Sequence, residues 1–185
     1  MTGQANTPDV IVLGVGRSGT TTVARVLYER FGVCFGHHHM MRKEFMGEPV
    51  FEDHDLKRDL AALRAFGNGR ISSWRMWLRY FSKNHEGCGA KYKGVKLLDL
   101  VYLPVEAFEH MAPKLIVRTY RPMESCVDSW CRYNRRPRAT NTAWYVEREF
   151  LLSELERKLP MVRIEFEPES RVLTDDEIGG LVCLT

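Results

Sequence analysis

The segment GVGRSGTTT, residues 14–22, places glycines among hydroxyl side chains and one arginine, a composition suited to binding an anion. Gly14 and Gly19 have the separation of the phosphate-binding pattern G-x-x-x-x-G-K-[ST], but Thr20 stands where the pattern has lysine. In such a turn, successive backbone N–H groups and the helix N-terminus can surround an oxyanion. The candidate ligand groups belong to Gly16, Arg17, Ser18, Gly19, Thr20 and Thr21. All are donors or cations, so we expect an oxyanion on a small ester or anhydride; a turn without a ligand is the alternative.

A strand before this loop and a helix after it would position its donors. VIVLG, residues 10–14, is a short β-branched run typical of a buried strand. Apolar residues then recur at helical spacing from about Ser18 to Phe31, and Gly32 ends the pattern. Later segments predict strands in AKYKGVKLLDL, KLIVRTY and MVRIEFE, and helices in HDLKRDLAALRAFGNG, in SSWRMWLRYFSK, after Pro122, over residues 141–158 and in TDDEIGGLVCL. Strands that alternate with helices predict an α/β fold with a central, mainly parallel sheet.

Length and composition fit a single globular domain over residues 1–185, with 44% hydrophobic and 28% charged residues. The chain has no apolar run of about 18 residues that would span a membrane, and MTGQANTPD at its start lacks the features of a secretory signal. The five cysteines include no C-x-x-C pair, which favours reduced thiols over disulfides or a zinc site. A net charge of +3 does not by itself favour nucleic acid as a partner. We therefore expect a cytoplasmic protein that binds neither nucleic acid nor membrane.

The missing lysine fits transfer of a sulfuryl group better than transfer of a phosphoryl group. A kinase loop uses lysine and Mg²⁺ to offset a heavily charged γ-phosphate, whereas a sulfuryl group carries less negative charge. GVGRSGTTTVARVL resembles the 5′-phosphosulfate loop, R-S-G-T-[TS] after a first strand, of sulfotransferases that use 3′-phosphoadenosine 5′-phosphosulfate (PAPS). The resemblance continues through GEPVFEDHDL, GVKLLDL, the Arg121 region and VRIEFE. It implies a three-layer α/β/α P-loop fold, PAPS as the cofactor and no requirement for a metal.

The resemblance also implies a second anion site, because PAPS carries a separate 3′-phosphate. The family has R-x-P after a strand and a serine eight residues beyond the arginine; here Arg121 follows KLIVRTY and Ser129 comes eight residues later. Pro122 comes one place early, so Arg118 is the alternative cation if the register is shifted. A surface arginine and an unrelated helix serine are the other interpretation. Further arginines could extend this basic surface over the nucleotide or form a solvated loop: Arg132, Arg135, Arg136 and Arg138.

Sulfuryl transfer to a hydroxyl needs a general base near the loop, and Arg17 would act at the bridging oxygen where charge develops. Cytosolic small-molecule sulfotransferases use a histidine after a later strand, but VKLLDL has none at that place. Tyrosylprotein and several bacterial sulfotransferases use a glutamate shortly after the first helix. By spacing from the loop arginine, His38 in FGHHHMM falls on that glutamate, and a neutral imidazole can accept the proton. A polar turn or incidental metal-binding patch is the alternative, and the other candidate bases are Glu52, Asp53, His54 and Asp99.

The sequence leaves three functions open: a PAPS-dependent sulfotransferase acting on a hydroxyl or amine, a divergent small-molecule or nucleoside kinase, and a nucleotide-binding protein without turnover. The missing lysine counts against the kinase. The acceptor, a small molecule or peptide, is not identified. An aromatic stripe in SSWRMWLRYF forms either an apolar acceptor cleft or part of the core: Trp74, Trp77, Tyr80 and Phe81. The chain is short for the family, so part of the acceptor site could come from a second subunit in a homodimer.

Overall fold

The computed structural model describes residues 7–36, 44–45, 48–49, 54–66, 71, 73–85, 89–167 and the single positions 173, 176 and 179. In chain order, the strands are β1 (Val10–Gly14), β2 (Val33–Cys34), β3 (Glu44–Phe45), β4 (Glu48–Pro49), β5 (Tyr92–Lys96), β6 (Leu115–Tyr120) and β7 (Val162–Glu165). Five of them form one sheet in the order β2-β5-β1-β6-β7, and every pairing in it is parallel. The short strands β3 and β4 form a separate antiparallel pair. β1 is therefore central, with β5 and β6 as its neighbours.

Different helices cover the two faces of this sheet. The helices are α1 (Thr20–Phe31), α2 (His54–Phe66), α3 (Trp74–Asn84), α4 (Val105–Met111), α5 (Met123–Asn134) and α6 (Arg138–Glu156), with a 3-10 helix over Leu98–Tyr102. Along β1, Val10 and Val12 pack in one core with α1, whereas Ile11 and Leu13 pack in a second core with α2 to α6. Successive side chains of a strand point to opposite faces, which explains this division. The three-layer α/β/α arrangement with a parallel sheet confirms the predicted fold class.

The predicted strands and helices are present with shifted ends. The first helix begins at Thr20, not Ser18, because Gly19 precedes it in a left-handed conformation with φ of 100°. The second predicted strand ends at Lys96, and LDLVY continues as the 3-10 helix. The long helix predicted from Asn141 begins earlier, at Arg138, directly after Pro137. These shifts leave the predicted order of strands and helices unchanged.

Short elements are absent from the predictions: β2, β3, β4, the 3-10 helix and α4. The strands among them have two residues each and α4 has seven, which is too short for hydrophobic periodicity to identify them. The helix predicted in TDDEIGGLVCL lies outside the described residues except for positions 176 and 179. Within the described part of the chain, no helix is both long enough and apolar enough to cross a membrane.

Candidate anion-binding site

The glycine-rich segment forms a tight turn at the carboxyl end of the central strand, between β1 and α1. Arg17 and Gly19 both adopt left-handed conformations, with φ of 73° and 100°. The Ser18 N–H donates to the Val15 carbonyl at 3.2 Å, which closes the turn. A left-handed conformation in a residue other than glycine costs on the order of 1–3 kcal/mol and is concentrated at ligand sites. The backbone of Arg17 is therefore strained in this turn.

Ser18 stabilises this turn through its buried side chain. Its side chain is buried, and its hydroxyl donates to the Val15 carbonyl at 2.6 Å. The same hydroxyl lies 2.7 Å from the hydroxyl of Thr119 on β6, and that threonine donates to the Leu13 carbonyl at 3.3 Å. The predicted role of this serine as a side-chain donor to a ligand gains no support from these contacts. Ser18 instead joins the loop to the neighbouring strand.

The glycines of the loop are required by packing. A Cβ atom at Gly16 would lie 1.2 Å from Cζ3 of Trp130, a residue of α5. At Gly19, the corresponding atom would lie 2.4 Å from the ring of Phe166, in addition to the positive φ. Two aromatic rings thus approach the backbone of the turn where a side chain would otherwise stand. A side chain at either position would therefore have to displace an aromatic ring or the turn itself.

The structure brings Arg17 of the loop and Ser129 of α5 into direct contact. Arg17 Nε donates to Ser129 Oγ at 2.9 Å, across a separation of 112 residues in the chain. The Arg17 guanidinium also lies 5.7 Å from the ring centroid of Tyr133, one helical turn beyond Ser129. The sequence predicted these residues as parts of two anion sites. In the structure the two predicted sites adjoin.

Arg121 lies between β6 and α5, at the same edge of the sheet as the loop. Arg121 is buried, with 7% of its surface exposed. The Tyr145 hydroxyl donates to the Arg121 carbonyl at 3.1 Å, and the thiol of Cys126 lies 3.7 Å from the same oxygen. Burial raises the pKa of Tyr145, so its hydroxyl keeps the proton that it donates. The backbone of Arg121 is therefore held in place by α5 and α6.

Arg118, the alternative cation, has a different role. It is 1% exposed and forms ion pairs with Glu149 and Glu156 of α6, and its Nη2 lies 3.4 Å from the Ser153 hydroxyl. Withdrawing this buried arginine would break both ion pairs, at a cost of several kcal/mol, although Glu156 keeps an ion pair with Arg163 at 3.6 Å. The register-shift alternative is therefore disfavoured, and Arg121 remains the predicted contact for the second anion.

Lys96 is a cation at the loop that the sequence analysis did not identify. It is the last residue of β5, is 2% exposed, and its Nζ donates to Thr21 Oγ1 at 3.0 Å. Thr21 stands in the first turn of α1, so the lysine side chain reaches the loop from the neighbouring strand. In the sequence, the feature that could have indicated this role is a lysine within the otherwise apolar segment GVKLL. Its partner could not be identified without knowing that β5 lies beside β1.

The candidate bases are only partly described. His38, Glu52 and Asp53 lie outside the described residues, and His54 is the first residue of α2. Asp99 accepts a hydrogen bond from Arg148 Nη2 at 2.7 Å. Its protonation would leave a buried guanidinium without its counter-charge, so this contact argues against Asp99 as the base. His38 stays a prediction.

The structure also describes the four further arginines and the aromatic stripe of α3. Arg132, Arg135, Arg136 and Arg138 are all exposed, and Arg138 forms ion pairs with Glu124 and Asp128. Within the aromatic stripe of α3, Trp77 and Phe81 are fully buried and Trp74 is 6% exposed, while Tyr80 is 38% exposed. Trp74, Trp77 and Phe81 are therefore part of the core, which does not support the acceptor-cleft alternative for these three residues, whereas Tyr80 lies at the surface.

Three neighbouring parallel strands thus end in groups that can bind an oxyanion. β5 ends at Lys96, β1 leads into the loop with Arg17, and β6 leads into Arg121 and the helix that carries Ser129. Ligands of open parallel sheets bind at this carboxyl edge. Comparison with known proteins finds no protein-family model that matches this chain and no curated protein with significant similarity to it.

Proposed function

We propose that the protein is a PAPS-dependent sulfotransferase that acts on a hydroxyl or amine of a small-molecule or peptide acceptor. The observation that carries the proposal is the 2.9 Å hydrogen bond from Arg17 to Ser129. Arg17 belongs to the loop that resembles a 5′-phosphosulfate site, and Ser129 belongs to the segment that resembles a 3′-phosphate site. Their contact supports one continuous site for both ends of a 3′,5′-bisphosphate nucleotide.

The residues at the loop fit the chemistry of sulfuryl transfer. When bound, PAPS would supply the sulfuryl group: the acceptor oxygen bonds to sulfur while the bond from sulfur to the 5′-phosphate oxygen breaks. Arg17 and the first amides of α1 are donors for the charge that develops on that phosphate oxygen. His38, in its predicted role, takes the proton of the acceptor. In the proposed reaction the residues of this chain bind, orient and stabilise, and the proposal assigns no step to a metal.

The position of Lys96 favours this proposal over the divergent kinase. Thr21 stands at the [ST] position of the pattern G-x-x-x-x-G-K-[ST], where the hydroxyl binds Mg²⁺ in kinases and related enzymes. Here that hydroxyl accepts a hydrogen bond from the Lys96 ammonium at 3.0 Å. A positive charge so close to the hydroxyl repels a divalent cation. The same ammonium adds a positive charge beside the loop, at the Thr21 hydroxyl and not at the lysine position of the pattern, which Thr20 occupies.

A thermal-shift experiment on the full chain tests the nucleotide. Adenosine 3′,5′-bisphosphate in EDTA, at about 100 times its dissociation constant, should add roughly 2.7 kcal/mol of stability. For a chain of this size, that should raise the Tm by about 5–10 °C. ATP with Mg²⁺ is the comparison ligand. A large shift with ATP and Mg²⁺, together with none for the bisphosphate, would reject the sulfotransferase and favour the kinase.

A binding protein without turnover would give the same thermal shift, so transfer must be measured separately. Radiolabelled PAPS is incubated with the protein and a panel of phenols, alcohols, amines and tyrosine peptides, and label on the acceptor is counted. Arg17→Ala is the matched negative control, because it removes a predicted catalytic cation. Bisphosphate binding without any acceptor labelling above that control would support the non-catalytic alternative.

A further inference from the structure

A row of four side chains connects the turn at Gly16 with the 3-10 helix that follows β5. The ring of Trp130 occupies the space where a Cβ of Gly16 would stand. Trp130 meets Trp144 edge to face, with ring centroids 4.7 Å apart and planes at 80°. The Arg148 guanidinium carbon lies 3.5 Å from the Trp144 ring centroid, and Arg148 Nη2 donates to Asp99 Oδ1 at 2.7 Å. We call this row the Trp–Arg stack.

We propose that Arg148 is a positioning residue for the anion-binding loop and acts through Trp144 and Trp130. The effect of Arg148 on catalysis rests on the proposed function, because the loop that Arg148 would position is the predicted anion site. A turn built from glycines has little conformational preference of its own. The ring of Trp130 gives the turn a fixed surface to pack on, and Arg148 fixes the rings. Displacement of catalytic donors by about 1 Å can cost about 100-fold in rate, so such support has a large functional effect.

The choice of arginine at position 148 follows from the geometry. Arg148 is 1% exposed, so its charge is removed from water and needs compensation. Asp99 supplies the counter-charge, and Tyr102 presents its ring 5.3 Å from the guanidinium. A planar guanidinium can stack on Trp144 and pair with a carboxylate at the same time, whereas an ammonium is a point charge that cannot stack in this way. Lysine would therefore keep the ion pair but lose the stack.

Arg118 offers a matched control within the same fold. It is also 1% exposed and also pairs with carboxylates, in its case Glu149 and Glu156 of α6. Glu149 and Glu156 are not members of the Trp–Arg stack, whereas Arg148 contacts Trp144, whose ring meets Trp130 at the turn. A lysine at either position removes the same chemical group from a buried ion pair. Only the change at Arg148 should reach the loop.

The experiment measures the loop with and without ligand, in Arg148→Lys and Arg118→Lys of the full chain. Hydrogen exchange of the backbone amides of residues 16–20 is followed in the free protein, and the Kd for adenosine 3′,5′-bisphosphate is measured by calorimetry. For Arg148→Lys we expect loop exchange to accelerate about tenfold and the Kd to rise about tenfold. Arg118→Lys should leave both quantities close to the wild type, although its Tm also falls. Should Arg148→Lys fail to fold, Trp144→Phe carries the test with the same expected direction.

The outcomes separate this inference from the proposed function. Unchanged loop exchange in the Arg148 variant, or an equal change in the Arg118 variant, would overturn the positioning role. If the wild type does not bind the bisphosphate but loop exchange responds to Arg148→Lys alone, the proposed function fails and the Trp–Arg stack still positions the loop. If the bisphosphate binds and the Arg148 variant affects exchange and Kd as expected, the positioning role stands and the nucleotide site of the proposed function is supported, while turnover is decided by the transfer assay.

Discussion

The turn after β1 and the connection after β6 are both predicted to bind a phosphate, but they are built differently. The turn after β1 owes its shape to its backbone: Arg17 and Gly19 have positive φ, and Trp130 and Phe166 pack against its glycines. The connection after β6 has no such turn, and its predicted ligand groups are side chains, Arg121 before α5 and Ser129 within it. The first predicted site therefore depends on a strained backbone turn, and the second on side chains of Arg121 and of the regular helix α5.

This difference corresponds to the two tasks in the proposed reaction. The loop would face the oxygen on which charge develops, so its donors need fixed positions before the reaction begins. The segment after β6 would hold a phosphate that does not react, for which side-chain contacts are sufficient. Substitutions in the first region should therefore change turnover, and substitutions in the second should change binding. The predictions below test that division.

The largest expected effect comes from His38, the predicted general base. His38→Ala should lower turnover by roughly 10²–10⁴ and leave the Kd for the bisphosphate nearly unchanged. The reference pKa of an imidazole is about 6.5. Below that pH a histidine is protonated and cannot accept a proton, so turnover of the wild type should fall as the pH drops through this range. His37→Ala and His39→Ala are the controls and should lose much less. Full transfer by His38→Ala to a verified acceptor would reject the assignment.

Arg17→Ala should have the next largest effect, because Arg17 faces the reacting oxygen in the proposal. We expect turnover to fall by about 10²–10³, the range measured for the loss of one donor to a developing charge. The Kd for the bisphosphate should change less than turnover does. The measurement is kcat and Kd for the same purified variant. If binding falls as much as turnover, the loop contributes uniform binding and the division between the two regions does not hold.

Arg121→Ala should weaken binding and spare turnover at saturation. Loss of a charge-assisted contact to phosphate is worth roughly 1.5–3 kcal/mol, which corresponds to a rise in Kd of about 10-fold to 150-fold. The preference for the 3′,5′-bisphosphate over adenosine 5′-phosphate should disappear with it. Arg118→Ala should lower the Tm without removing that preference, because Arg118 pairs with α6. Normal bisphosphate binding by Arg121→Ala would show that the second site lies elsewhere.

The parts of the site that sequence could predict are those encoded in consecutive residues. The loop after β1 and the order of the main strands follow from local glycines and apolar runs, and both agree with the structure. Contacts between distant segments could not be predicted: Lys96 with Thr21 depends on β5 lying beside β1, and Arg17 with Ser129 depends on the path of α5. The role of Arg118 depends on which face of β6 it occupies, and KLIVRTY alone does not assign its faces.

The smallest expected effect tests how the second region is held. Tyr145→Phe removes the hydroxyl that donates to the Arg121 carbonyl at 3.1 Å. We expect a loss of about 0.5–1.5 kcal/mol of stability near neutral pH, since the carbonyl loses one hydrogen bond and keeps the contact of the Cys126 thiol at 3.7 Å. The Kd for the bisphosphate should rise slightly, because only the backbone of Arg121 is loosened.

The pH dependence of this variant gives a sharper test. Burial raises the pKa of Tyr145, so the native state keeps the hydroxyl proton to a higher pH than the unfolded chain does. The protonated Tyr145 therefore makes its full contribution to the unfolding free energy below about pH 10, the pKa of tyrosine in the unfolded chain. That contribution declines as the pH rises above this value. The difference in unfolding free energy between the wild type and Tyr145→Phe, from urea titrations at several pH values, should shrink above pH of about 10. The other titrating groups are common to both proteins and cancel in the difference. A difference that stays constant through this range would mean that the Tyr145 proton does not hold Arg121.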